Sequence, residues 1–475
     1  MKGGKPMKKF RILLSAMVAV VLLLGAMTTA GAFTYDTCLN PAGAADLKMS
    51  LTNLDLDGTL KAGMYAGKKI VVAAAGGDHA NSLREFGKIF QELTGGEVEV
   101  QEFPDNLFEK VQLGLQSGGQ FDVIEMPIAY LHSFAYAGYL TDITDMLKTL
   151  ASPGFDVGDF VPSMFETYAK YNGQTIAFPY KPDAQIFFYR KDLFEDPAIQ
   201  AKYKEKTGKD LKVPETPEEL LEVAAFFTKS LNPDSPVDYG YSTMMSKGNS
   251  RFSWFNRLGA SGGKELGSDY ALGFTDGSGV KALDYTLELA KYAPKDWLTF
   301  DWDTANTFFA QGNAAMMEQW PGLYLTCNQA ESPTKDKVGY AVTPGKSPTL
   351  GGWGLSIVAG STEQEMAFKF CEMCTSKDGE CVKIQYTFDP CRTSNYARDV
   401  VKDVSGIYQA LAANLACATQ LADTDIPYVS AQCGDVEEVA IQSALAGEIT
   451  SQQAIDQMAQ GLEAIIKDVK EDVQG

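Results

Sequence analysis

The sequence predicts an α/β fold divided into two lobes, and three observations carry that expectation. From Lys68 onward, apolar runs of strand length alternate with segments of helical periodicity, the pattern of a doubly wound sheet. An Asn-Gly turn at 172–173, a short apolar strand stopped by Pro179, and Asp183 then make a passage suited to a crossover between lobes. The length, 475 residues, exceeds what one hydrophobic core usually encloses, so about two are expected.

The first residues read as an export signal. Lys2, Lys5, Lys8, Lys9 and Arg11 precede an apolar run from Ile12 to Met27, and Ala30-Gly31-Ala32 has the small-x-small form of a cleavage site. Cleavage after Ala32 is the expectation. The alternative is an uncleaved anchor, because the run approaches the shortest length that spans a bilayer. No lipid-attachment motif precedes Cys38, and no later stretch is apolar and long enough to cross a membrane. The expected location is periplasmic or extracellular.

Residues 1–32 hold five basic and no acidic residues, so their loss takes the formal charge from −20 to −25. So acidic a surface repels phosphate backbones and anionic headgroups, and argues against nucleic-acid or membrane partners. Residues 33–67 form a polar, Gly-rich N-terminal extension. Its Asn53-x-Asp55-x-Asp57-Gly58 imitates the start of a calcium loop, but Met64 stands where the closing Glu is required, so a solvated loop is expected.

Lys69 to Ala74 is the continuous apolar run of a buried parallel strand. Gly76-Gly77-Asp78-His79 turns the chain, and Asn81 or Ser82 is expected to cap a helix carrying Leu83, Phe86, Ile89, Phe90 and Leu93 on one face. Gly95-Gly96 ends that helix. A strand at Val98–Val100, a helix over 107–117, a strand at 121–124 and a helix over 128–137 continue the alternation. Thr216, with Glu219 three residues on, has the form of a capping box. Gly277 or Ser278 opens a helix with Val280, Leu283 and Leu287, and Ser451 to Val473 carries an apolar stripe of helical period.

Several segments, in order, resemble a known family. They are Phe103-Pro104-Asp105, Ser117-Gly118-Gly119 with Asp122-Val123-Ile124, and Ala137-Gly138-Tyr139-Leu140. They continue with Tyr171-Asn172-Gly173 through Phe194, Pro214 to Leu220, Phe309 to Met317, Gly351 to Ile357, and Pro390-x-Arg392. Over about residues 68–470 the chain resembles extracellular solute-binding proteins of the sugar-binding, maltose-binding-protein-like class. The resemblance implies a type II periplasmic-binding-protein fold, in which hinged lobes close over a ligand cleft. By analogy lobe I takes 68–178 and 351–393, and lobe II takes 179–350 and 394–475. It also implies a monomer that delivers a small polar ligand to the membrane subunits of an ABC permease, with no cofactor.

Eight cysteines in an exported chain favour disulfides, with Cys371, Cys374, Cys381, Cys391, Cys417 and Cys433 as candidates. Cys371-x-x-Cys374 sits late in a helix, not at the strand-to-helix turn of a redox dithiol, and the later spacings do not suit a zinc site. Gly259-Ala260-Ser261-Gly262-Gly263 matches a nucleophile elbow in letters only. Its base should follow it, yet the two histidines, His79 and His132, both precede it. No catalytic residue and no metal site is nominated. An exported carbohydrate-active enzyme remains the alternative function.

Ligand-binding candidates are the residues at strand ends and expected crossings: Asp78, His79, Glu125, Tyr130, Asp183, Trp320, Trp353 and Arg392. Rings and hydrogen-bonding side chains of this kind suit a polyhydroxylated guest. Two departures from the maltose-type pattern keep the ligand class broad. Glu125-Met126-Pro127 lacks the Trp and downstream charged pair of the maltodextrin groove, and Gly322 stands where an aromatic is usual. Monosaccharide, oligosaccharide, polyol or another polar solute all remain.

Overall fold

The computed structural model describes residues 41–474 except 105, 119–120, 268–269, 387, 403–405 and 419–429. The export signal, Cys38 and residues 33–40 lie outside the described residues. Two sheets organise the chain. The first contains β1 (Lys69–Ala75), β2 (Glu97–Phe103), β3 (Val123–Pro127), β6 (Phe178–Ala184) and β11 (Leu350–Ile357), in the order β2-β1-β3-β11-β6. The second contains β7 (Ile186–Arg190), β8 (Tyr239–Ser242), β9 (Ala314–Gln319) and β10 (Val338–Ala341), in the order β10-β7-β9-β8. A hairpin of β4 (Lys170–Tyr171) and β5 (Gln174–Thr175) lies apart, turned by Asn172 and Gly173 at φ 47° and 79°. Positive φ at both positions is what an Asn-Gly turn supplies.

β1 is parallel to β2 and β3, while β11 runs antiparallel between β3 and β6. The chain therefore enters the first sheet, leaves it at Gln185, builds the second, and returns by Thr349. Pro179 was expected to stop its strand, but β6 continues through it and through Pro182. The reason is position: β6 is the outermost strand beyond β11, and an edge strand tolerates residues that donate no ladder hydrogen bond. The passage between sheets thus falls at Gln185, not at residue 178.

Helices follow their sequence signals closely, with one shift. The helix after β1 spans Asp78–Thr94 with Gly77 as its cap, four residues before the Asn81 expected. Ser82, freed from capping, turns inward, donating to the His79 carbonyl and meeting the Tyr180 hydroxyl at 2.6 Å. Thr216 and Glu219 form the reciprocal capping box of helix Pro217–Phe226. The Gly-x-Ser-x-Gly letters fall where helix Ser250–Ala260 ends in a turn. Helices Ser250–Ala260, Ser278–Leu289, Ser430–Leu445 and Ser451–Gln474 bury Trp254, Phe274, Ile441, Met458 and Leu462 in a separate cluster.

The extension from Pro41 is packed rather than solvated. Leu47, Leu54, Leu56 and Leu60 are buried in the main core, so the calcium-like letters lie in a run of turns anchored by leucines. Asp46 binds the Arg398 guanidinium, and Ser50 accepts from the same group at 2.7 Å. Among the described residues no helix is long and apolar enough to cross a membrane.

Of the six cysteines expected in disulfides, Cys371, Cys374, Cys381, Cys391 and Cys417 are unpaired among the described residues, as is Cys327. All but Cys417 are buried, and burial pushes the Cys381 thiol up to about 12 and those of Cys371 and Cys391 higher still. Here these side chains act as small apolar residues that fill the core.

Candidate functional site

The carboxyl ends of β1 and β3 point to one place, the region where an open α/β sheet usually meets a ligand. His79, in the first turn of the helix after β1, reaches Glu125 on β3, its Nδ1 lying 2.5 Å from Oε1. Glu125 is fully buried, and its second oxygen accepts from the Ala75 N–H at 3.3 Å. Trp353 on β11 is in register with Pro127 of β3 and Lys181 of β6. Its ring lies 4.3 Å from that of His79, which also faces Phe388 at 4.8 Å.

β6 brings the second half of the site. Lys181 sits 3.3 Å from Asp183 and 4.9 Å above the Phe388 ring. Asp183 pairs in register with Gly351, and the ring of Trp320, at the end of β9, covers that glycine. A Cβ at Gly351 would meet the indole at 2.7 Å, so only glycine lets the second lobe's Trp320 approach the first lobe's sheet this closely.

Charge is concentrated here. Burial raises the Asp183 carboxyl above its ordinary range, against the pull of Lys181 and His79. Asp78 stands at the mouth, partly open to solvent, yet desolvation raises its carboxyl too, opposed by His79 and Lys181. Burial lifts Asp389 further, reinforced by the charge of Asp183 and opposed by Lys181 and Lys383.

Of the eight residues chosen from sequence, the structure gathers Asp78, His79, Glu125, Asp183, Trp320 and Trp353 around this seam. Tyr130 instead lies tilted against Phe108, ring centroids 4.3 Å apart, one helical turn beyond Pro127. Arg392 is turned into packing: its guanidinium lies 3.9 Å over Phe160 and 4.6 Å over Phe155 and donates to the carbonyls of Asp156 and Thr375. Sequence reasoning missed Lys181, Phe388 and Asp389. The two-proline frame of Lys181 and the Phe388-Asp389 pair just before Pro390 were the available signals.

Behind the seam lies the pivot. Asn256 accepts from the Thr349 N–H at 2.7 Å and its hydroxyl at 2.8 Å, and donates to Gln185 Oε1 at 2.7 Å. Both crossing strands are thereby tied to one helix of the second lobe. Beside them Arg257 and Glu318 form a buried ion pair that Tyr241 joins, donating to Glu318 at 2.9 Å.

Two sheets joined by crossing strands, with rings and acids at their junction, define a two-lobed binding protein. The pattern of the family described as bacterial extracellular solute-binding protein matches residues 76–380, and the chain belongs to that family. A probable ABC transporter-binding protein of Deinococcus radiodurans is 24% identical over 364 residues, covering 71% of this chain and 83% of that protein. A mannitol-binding protein of Pseudomonas aeruginosa is 25% identical over 272 residues, covering 55% of this chain and 57% of that protein. Among solved structures, maltose-bound MalE3 of T. maritima is similar at a TM-score of 0.71 and 26% identity, covering 84% of this chain and all of that one.

Proposed function

We propose that the protein is the extracytoplasmic receptor of an ABC importer, closing on a sugar or polyol and delivering it to the permease. One observation carries the reading: His79, Glu125, Asp183 and Trp353 converge, with Trp320 of the other lobe, at the junction of two hinged sheets. Rings stack on apolar sugar faces, while carboxylates and Lys181 exchange hydrogen bonds with hydroxyls. The relatives that bind maltose and mannitol support this ligand class. Export with cleavage after Ala32, and action as a monomer without a cofactor, belong to the same reading. An exported glycan-cleaving enzyme is less favoured, because the family is one of binding proteins.

A thermal-shift screen over maltose, D-mannitol, D-tagatose, ribitol and small organic acids tests the proposal. A ligand at one hundred times its Kd adds about 2.7 kcal/mol of stability, worth on the order of 5–10 °C for a domain of this size. Stabilisation without products supports the receptor. Turnover of a glycan panel would overturn it.

A further inference from the structure

Packing does not account for Asp389. It is 0% exposed, and neither carboxylate oxygen has a hydrogen-bond partner among the described residues. Its own backbone N–H is turned toward the carboxylate without closing a hydrogen bond. The groups facing it are Asp183 and Lys181 of β6, Lys383 of helix Lys377–Lys383, and the tyrosines Tyr168, Tyr396 and Tyr408. Both cations are engaged elsewhere. Lys181 lies 3.3 Å from Asp183, while Lys383 lies 3.3 Å from Glu380 and donates to the Tyr180 carbonyl.

Asp183 is 4% exposed and also keeps one oxygen, Oδ1, without a partner among the described residues. Three acceptor oxygens are therefore buried and unsatisfied among the described residues, where Lys181 lies between Asp183 and the Phe388 ring that also faces His79. Leaving buried acceptors without donors is costly, and native proteins seldom retain them without a use.

We infer that Asp389 and Asp183 form an acceptor pair for neighbouring hydroxyl groups of the ligand, making Asp389 a residue that selects what is bound. The inference rests on the sugar or polyol reading above. An ionised carboxylate accepts and never donates, so the pair favours guests presenting hydroxyl donors and disfavours their deoxy or O-methyl analogues. Donors favour the ionised form, whereas burial and mutual repulsion raise both carboxyls in the free protein. Binding therefore pulls these carboxyls back down, and affinity rises with pH across the range where they titrate.

The test is calorimetric titration of D-mannitol and maltose at about pH 5 and pH 7.5, with Asp389→Asn and Asp183→Asn beside the unmodified protein. The expected result for the bound probe is affinity roughly tenfold or more tighter at the higher pH. Either variant should lose tenfold or more and show a flat profile. A variant with unchanged affinity and pH slope would overturn the inference. If neither probe binds the unmodified protein, the ligand class fails by itself, and the pair is then read from the free protein. Asp389→Asn should raise the thermal midpoint more at pH 7.5 than at pH 5. Equal shifts at both would overturn the pair.

Discussion

The pivot gives the sharpest mutational test. Asn256→Ala deletes three short hydrogen bonds, to Gln185 Oε1 and to the N–H and hydroxyl of Thr349, at 2.7, 2.7 and 2.8 Å. A fourth, to Glu318 at 3.4 Å, contributes little. Each bond is worth about 1 kcal/mol net, and the orphaned Thr349 N–H adds a desolvation penalty of about 1–3 kcal/mol. The expected loss is roughly 4–6 kcal/mol, read from urea unfolding monitored by tryptophan fluorescence. Asn256→Asp should not rescue it, because that change keeps the acceptor for Thr349 but sets a second carboxylate beside Glu318. Ligand response should fall with stability, since Gln185 directly follows β6, which carries Lys181 and Asp183. A loss under about 1 kcal/mol, the size of an ordinary surface change, would refute the pivot.

Other expectations follow from the same geometry. Trp353→Ala should abolish ligand-induced stabilisation while leaving the far-ultraviolet circular dichroism unchanged; a normal thermal shift would move the site elsewhere. Arg257→Met strands Glu318 as a buried charge and should cost about 3–5 kcal/mol, most of it recovered by replacing Glu318 with Met as well; equal instability of single and double variants in urea would contradict the pairing. Burial alone would raise the Asp46 carboxyl, but Arg398 and the Val400 N–H hold it below its ordinary range. Its contribution is thus present above pH ~4 and is lost as pH falls through the lower folded-state value; an Asp46→Asn variant as stable as the unmodified protein at pH 7 would show that the extension is not clamped there. Of Cys327, Cys371, Cys374, Cys381, Cys391 and Cys417, half-buried Cys417 should react first with a thiol reagent in the native protein, and the others only after unfolding; a disulfide among these six surviving in denaturant would contradict their unpaired state.

Local signals were the legible part of this fold. Strand Lys69–Ala75, the Thr216 capping box, the Asn172-Gly173 hairpin and the closing helix Ser451–Gln474 each rest on interactions within a few residues of chain, which periodicity and turn chemistry record. The passage through Pro179 was misread because tolerance of proline depends on β6 lying outermost in its sheet, a tertiary fact. Arg392 and Asp183 were both read as charges at expected crossings. Only packing separates them, since Phe155 and Phe160 enclose the guanidinium while Asp183 turns to the seam. Lys181 and Asp389 were missed for a related reason. Nothing local distinguishes a lysine between prolines, or an aspartate before one, from a solvated turn. The disulfide expectation followed from compartment and count, which say nothing about whether two sulfurs meet.

A crystal structure with bound maltose or D-mannitol tests the central claim most directly. The account predicts ligand density between Trp353 and His79 on one side and Asp183 and Lys181 on the other, with Trp320 closing from the second lobe. Density confined to the outer concavity of about 520 Å³ lined by Tyr270, Leu272, Glu463 and Lys470, with the seam empty, would contradict it.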